Sequence, residues 1–391
     1  FSRNIVWDAD LVFLLLCFIK MEVIVGTYNH VLFGFKFVLN EESDHWTFEP
    51  LFTDQGHAGY IKTVATGGRY LASGGSDETI RLFDMKKHVE LGTLMQQSGS
   101  VTSINFFGSQ HMLSASEDGT ICIWKCKSWE CEKVLKGHRG PVLSISIHPT
   151  GRLALSVSKD KSIKTWNLLT GRPAYTTSIK EVGEIIRWSP SGDSYAVVVG
   201  CKLTVNKITG IDEPHIYTCE KYILAIEYLT DSIIMLAGEF NDIIIYNFQK
   251  SSVLQKLCGH KVRVKGVAIG DQDDKKVFIF TVSSDGNIKA WCLNKENYED
   301  HSLLASIDLP GRPTCITVKQ SVSLKLQNKV TNEITNESNE TYKKQKLKLD
   351  QKNVITENDV EVKHSKKKTK KETGSNKKET DIPKKRLKNK T

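Results

Sequence analysis

His57, Ser73 and Asp77 are side chains of the kinds that acyl-transfer chemistry uses. In such a site the serine hydroxyl attacks, the histidine takes its proton and the aspartate orients the imidazole. Gly74-Gly75 between them offers a second chemistry, a loop whose backbone N–H groups cradle a phosphate. Cys122, Cys126 and Cys131 offer a third, because closely spaced thiolates hold zinc. Each chemistry needs its own framework. The nucleophile must stand exposed at one place, the phosphate loop must open a helix, and the thiolates must converge.

The sequence around these residues speaks against all three. LASGGSDETIRLFD (71–84) recurs as LSASEDGTICIWK (113–125), LSVSKDKSIKTWN (155–167) and FTVSSDGNIKAWC (280–292), with MLAGEFNDIIIYN (235–247) as a weaker copy. The turn aspartates Asp77, Asp118, Asp160, Asp242 and Asp285 stand 41, 42, 82 and 43 residues apart. The doubled interval places a degenerate copy near Cys201, where SYAVVVGCKLTVNKI (194–208) supplies two strands around Gly200-Cys201. A catalytic constellation occurs once, whereas a unit recurring every 40–45 residues or so is a structural repeat of the propeller-blade kind. Gly74-Gly75 precedes no helical pattern, so the phosphate loop lacks its context. Residues 121–124 read as a strand, so Cys122 projects from a sheet while Cys131 begins another element; no metal site and no cofactor are expected.

Short β-branched runs alternate with turn signals, and helical periodicity is absent before residue 321. One unit traces as residues 133–135, Gly137-His138, then 142–147, 153–157 and 162–166. Turns near Asn29, Asp77, Asp118, Asp160, Cys201, Asp242 and Asp285 number seven, which predicts an all-β, seven-bladed propeller of four strands per blade. EVIVGTYNHVLFGFKF (22–37) supplies two strands of a closing blade, and SLLASIDL (302–309) with PTCITVKQ (313–320) supplies the other two. A ring closed by its own termini leaves no exposed sheet edge.

The chain has 391 residues, 39% apolar and 25% charged, with net charge +9. Residues 321–391 hold 20 Lys+Arg against 10 Asp+Glu, while the remainder holds 34 against 35. The expected organisation is a neutral propeller over 21–320 and a basic tail over 321–391, too polar to offset its own ordering entropy and therefore disordered. The tail clusters are Lys366, Lys367, Lys368, Lys370 and Lys371, then Lys384, Lys385, Arg386 and Lys388. The second cluster, after Pro383, matches a nuclear-import signal, and both neutralise phosphate without reading bases. No aromatic residue interleaves them, so base stacking is not expected. Nine scattered cysteines, an odd number, predict reduced thiols. The nine apolar residues from Leu11 to Ile19 fall short of the roughly 20 that span a bilayer. Asp8 and Asp10 flank them and no cleavage site follows, so residues 1–20 are expected to be a non-native or untranslated extension, with Met21 opening the fold.

The units resemble WD repeats, whose motif is a Gly-His pair, a strand Ser or Thr, a turn Asp and a Trp. His138, Ser156, Asp160 and Trp166 form the fullest set, and His260, Thr281, Asp285 and Trp291 a second. His57, Ser73 and Asp77 form a third with Phe83 in the Trp place; Ser114, Asp118 and Trp124 lack the His, because Gln97-Ser98-Gly99-Ser100 replaces Gly-His. The resemblance implies that these side chains form hydrogen-bonded staples inside the blades. No unit carries Trp-Asp itself, and the Cys201 unit has neither Asp, His nor Trp.

Beyond the repeat, VLFGF (31–35), SDETI with FDMKKHVELG (76–92), SEDGTICIWKCKSWEC (116–131), HPTGRLALSVSKDKSIKTWNLLTGR (148–172) and TVSSDGNIKAW (281–291) resemble the family of WD-repeat proteins that interact with p21-activated protein kinase. That resemblance implies two non-enzymatic roles. One is binding the kinase's regulatory region and restraining its activation. The other is nuclear and nucleolar assembly of the large ribosomal subunit, alongside other pre-ribosomal factors and with sequence-independent ribosomal RNA contact through the tail. It implies a single copy within such complexes and no membrane partner.

Overall fold

The computed structural model describes residues 21–40, 45–209, 213–272 and 275–319. The chain divides into two units, Phe1–Ser321 and Val322–Thr391, and every described residue lies in the first. The expectations for residues 1–20 and for the tail, with all nine of its named cations, lie outside the described residues.

Among the described residues, 28 strands form seven antiparallel sheets of four strands each and no helix occurs. These are the blades counted from the turns. The first combines Pro313–Lys319 with Met21–Thr27, Leu32–Asn40 and His45–Asp54. The second runs from Ile61–Gly67 to Val89–Leu94, the third from Val101–Phe107 to Glu130–Leu135, and the fourth from Val142–Ile147 to Arg172–Ser178. The fifth runs from Ile185–Trp188 to His215–Thr218, the sixth from Ile223–Thr230 to Ser252–Leu257, and the seventh from Val264–Gln272 to His301–Asp308.

Burial grades outward along each blade, and the sequence follows it. Ile233–Gly238, a second strand, is buried at every position and reads IIMLAG. Arg172–Ser178, an outer strand, is exposed at all positions but one and reads RPAYTTS. A sheet packed between two neighbours buries both faces and therefore runs apolar without alternation. Towards the periphery the blades diverge and polar residues return. The packing between blades is aromatic where the seventh meets the first, with the Phe37 and Phe280 ring centroids 5.1 Å apart, edge to face.

The ring closes differently from the expected sharing of two strands from each end. The N-terminal region supplies three strands and the C-terminal region one. Pro313–Lys319 pairs with Met21–Thr27, and Lys319 Nζ meets Glu22 at 2.9 Å across that seam. The segment 302–309 instead completes the seventh blade, pairing Trp291 with Leu303. The added strand, His45–Asp54, lacks a clean alternation and contains Pro50, opposite a register shift at Gly34/Phe35. An outer strand tolerates proline because its N–H row faces no partner. The same offset affects the traced unit: residues 133–135 pair back onto Ile121–Lys125 of the third blade, so the sequence repeat begins one strand before the sheet it names.

Candidate functional site

The His, Ser and Asp side chains belong to the blades' interiors. In the fourth blade Trp166 Nε1 donates to Ser156 Oγ at 2.8 Å, Ser156 Oγ lies 2.7 Å from His138 Nε2, and His138 Nδ1 lies 2.9 Å from Asp160 Oδ2. The carboxylate end fixes the direction. Asp160 already accepts from the backbone N–H groups of Arg139 and Ser162, so Nδ1 carries the proton, and Nε2 accepts from the serine. Donation therefore runs from indole to hydroxyl to imidazole to carboxylate. In the second blade His57 lies 2.8 Å from Ser73 and 2.9 Å from Asp77, with Phe83 buried in the indole's place. A Cβ on Gly75 would fall 2.3 Å from Asp77 Oδ1 and 2.7 Å from His57 Nδ1, so this glycine makes room for the relay.

The third blade keeps the relay with a neutral amide. Trp124 Nε1 donates to Ser114 Oγ at 2.9 Å, and Ser114 donates to Gln97 Oε1 at 2.6 Å. Gln97 Nε2 donates on to Thr120 Oγ1, whose hydroxyl donates to Asp118 at 2.7 Å. Gln97 was not among the expected site residues. The spacing carries its signal, since it stands 17 residues before Ser114, against 16 and 18 for His57 and His138 before their serines.

The seventh blade starts the relay and does not finish it. Trp291 donates to Thr281 at 3.0 Å, and Thr281 lies 2.8 Å from His260 Nε2. His260 Nδ1, however, is buried with no hydrogen-bond partner among the described residues, and Asp285 binds the Asn287 backbone N–H instead. The structure thus brings together three of these four residues and leaves Asp285 at the surface.

The electrostatics separate the ends of each relay. Burial presses the Asp77, Asp118 and Asp160 carboxyls upward, but their hydrogen bonds outweigh it and leave all three below the ordinary carboxylate range. Burial lowers His138, with Asp160 opposing, and burial with Lys289 nearby lowers His260 to about 4. The hydroxyls of Ser73, Ser114, Ser156 and Thr281 belong to fully buried residues. They are spent on the relay and cannot attack a substrate, which removes the acyl-transfer reading. Cys122 and Cys126 are buried thiols and Cys131 is partly buried; among the described residues no His, Cys, Asp or Glu group is arranged to hold a metal.

Two surfaces remain. The inner strands enclose a central channel of about 320 Å³, lined by Thr63, Asn105, Arg187, Glu227 and Thr317 among others. Arg187 lies 3.5 Å from Glu227 there. The Glu227 side chain keeps 37% exposure and lines this channel; burial raises its carboxyl while Arg187 pulls it back. The second surface is the ring face that carries the turn aspartates. It holds Glu117, which pairs with Lys62 at 2.6 Å, and exposed Lys159.

The WD domain, G-beta repeat family matches residues 48–84, 89–125 and 129–167. A Danio rerio protein named p21-activated protein kinase-interacting protein 1-like is 37% identical over 306 residues, covering 77% of this chain and 82% of that protein. Protein MAK11 of Saccharomyces cerevisiae is 34% identical over 203 residues, 46% of this chain and 49% of its own. Shk1 kinase-binding protein 15 of Schizosaccharomyces pombe is 24% identical over 303 residues, 76% of this chain and 83% of its own.

Proposed function

Because the chain belongs to the p21-activated protein kinase-interacting protein 1 family, we propose that it is a non-catalytic WD-repeat scaffold with two roles. It serves large ribosomal subunit assembly in the nucleolus, and it restrains p21-activated kinase by binding the kinase's regulatory region. The carrying observation is the family relation over 77% of the chain, joined to a site chemistry consumed inside the blades. The kinase role is supported by the names of two relatives, one interacting with p21-activated protein kinase and one binding Shk1 kinase. An inhibitor of this kind works through a difference in affinity for two states of the kinase. The nuclear and ribosomal role draws on the resemblance and on the lysine clusters from Lys366 to Lys388, whose contacts with ribosomal RNA would weaken steeply with salt. In both roles the protein acts as one copy among other factors, without a membrane.

The discriminating experiment is gradient sedimentation of nuclear extracts at two salt concentrations. It compares the full chain with one ending at Gln320, which spares every described strand. Co-migration of the full chain with large-subunit precursors, lost with the tail in a salt-dependent way, is the expected result. Co-purification of both forms with the kinase but with no precursor would reduce the function to kinase signalling alone. The Schizosaccharomyces pombe relative, named for kinase binding, favours that as the second reading.

A further inference from the structure

The ring lets equivalent positions be compared from blade to blade. Lys62 follows Ile61, which pairs with Gly75, and Lys265 follows Val264, which pairs with Ser283; the two lysines hold the same place at the start of an inner strand. Side chains at this place reach the following blade. Thr102 Oγ1 donates to the Val142 carbonyl at 2.7 Å, Thr314 Oγ1 donates to that of Ile61, and Lys62 Nζ meets Glu117 at 2.6 Å. Lys265 finds no such acid. The blade that follows it offers Arg312, and among the described residues no carboxylate lies within ion-pair distance of either cation. Glu239, the acid on the other side, faces Arg263 at 3.8 Å. Burial, then the neighbouring Arg263 and Arg312, press the Lys265 ammonium below its ordinary value, and Glu239 opposes them only in part.

An aromatic surface adjoins this pair. The Arg312 carbonyl accepts from the Tyr28 N–H at 2.8 Å. The Tyr28 ring stacks on Tyr60 with centroids 5.1 Å apart and is 55% exposed. A positive pair with no carboxylate at ion-pair distance, beside a partly exposed aromatic stack, is the composition of an interaction hot spot. The lysine clusters of the chain's own tail, 366–371 and 384–388, have the wrong sign to occupy it. A phosphate backbone would pass Glu117 and Glu239 on either side of the pair, whereas spaced carboxylates can avoid them.

We propose that Lys265, Arg312, Tyr28 and Tyr60 form a docking site for an acidic segment of a protein partner, with carboxylates on the two cations and an apolar or aromatic side chain on the tyrosine pair. The inference deepens the scaffold reading and rests on it only in taking this face for docking. A binding assay tests it apart from sedimentation, so either idea can fail without the other.

The test is fluorescence anisotropy on the full chain with a fluorescein-labelled peptide alternating Asp and Glu around two Phe residues. Saturable binding is expected, weakened about tenfold by Arg312→Glu and about threefold by Tyr28→Ala, with Lys159→Glu changing it less than about twofold. Arg312 and Tyr28 are exposed, so unchanged melting temperatures accompany these losses. Absence of saturable binding overturns the proposal. Equal loss in Arg312→Glu and Lys159→Glu overturns it too, by reducing the effect to diffuse charge. Binding of an oligouridine that loses as much on Arg312→Glu as the peptide does would assign the surface to RNA and also overturn it.

Discussion

The second, third and fourth blades are tied by relays ending on Asp77, Asp118 and Asp160, whereas the fifth and sixth show none among the described residues and still form four-stranded sheets. Aliphatic packing takes over there. Ile233, Ile234, Met235, Leu236, Ile243, Ile244 and Ile245 are all buried in the sixth blade, and Ala196, Val198, Leu203 and Val205 in the fifth. A blade needs its two faces covered and its turn held, and either a polar relay or continuous apolar strands can do it. The relay leaves a spaced, legible pattern in the sequence; the apolar solution leaves only a run of Ile and Val.

The largest test removes the packing element from each kind of blade. Trp166→Ala is expected to cost about 3–5 kcal/mol and Ile245→Ala about 2–5 kcal/mol in urea unfolding, since both side chains are fully buried. A much smaller loss for Ile245→Ala would break the equivalence of the two solutions. Next is the unfinished relay of the seventh blade. Between the ordinary histidine value near 6.5 and about 4, the unfolded chain binds a proton at His260 that the folded chain refuses. Stability therefore falls as pH drops through that window, by on the order of 3 kcal/mol. Replacing His260 with Gln should flatten that part of the pH profile, and an unchanged slope would refute it.

Asp160→Ala strands the His138 Nδ1–H and two backbone N–H groups, for an expected loss of about 1.5–3 kcal/mol. Asp242→Ala, at the corresponding turn of the apolar sixth blade, should stay within about 0.5 kcal/mol. Smallest of all, Asp285→Ala gives up one exposed backbone contact and should be nearly silent in thermal melting. A large loss there would mean that Asp285 does reach His260 in solution.

The same contrast explains what could be read from the sequence. The turn period, carried by five aspartates and completed near Asn29 and Cys201, pointed to seven blades, and the resemblance to WD repeats marked the His57, His138 and Trp166 places. The division of the closing blade was not, because the repeat starts on an outer strand and His45–Asp54 lacks a strand's alternation. Gln97 was overlooked because an amide does not look like an imidazole, although it passes donation in the same direction. The failure of Asp285 to meet His260 is a matter of side-chain placement that residue types do not encode. Likewise, the opposite surroundings of Lys62 and Lys265 depend on the next blade's loop, and so on residues far away in the chain.

The seam between Glu22 and Lys319 has a consequence for the order of events during synthesis. Three strands of the first blade leave the ribosome early and must wait for their innermost partner until almost the whole ring has been made. Closing so long a loop is entropically slow, and the waiting strand Met21–Thr27 is apolar and unpaired on one side. Residues 320–391 alone take about 4–14 s to translate at usual elongation rates. The closing strand therefore becomes available while the chain is still tethered, and the exposed edge can be sealed before release.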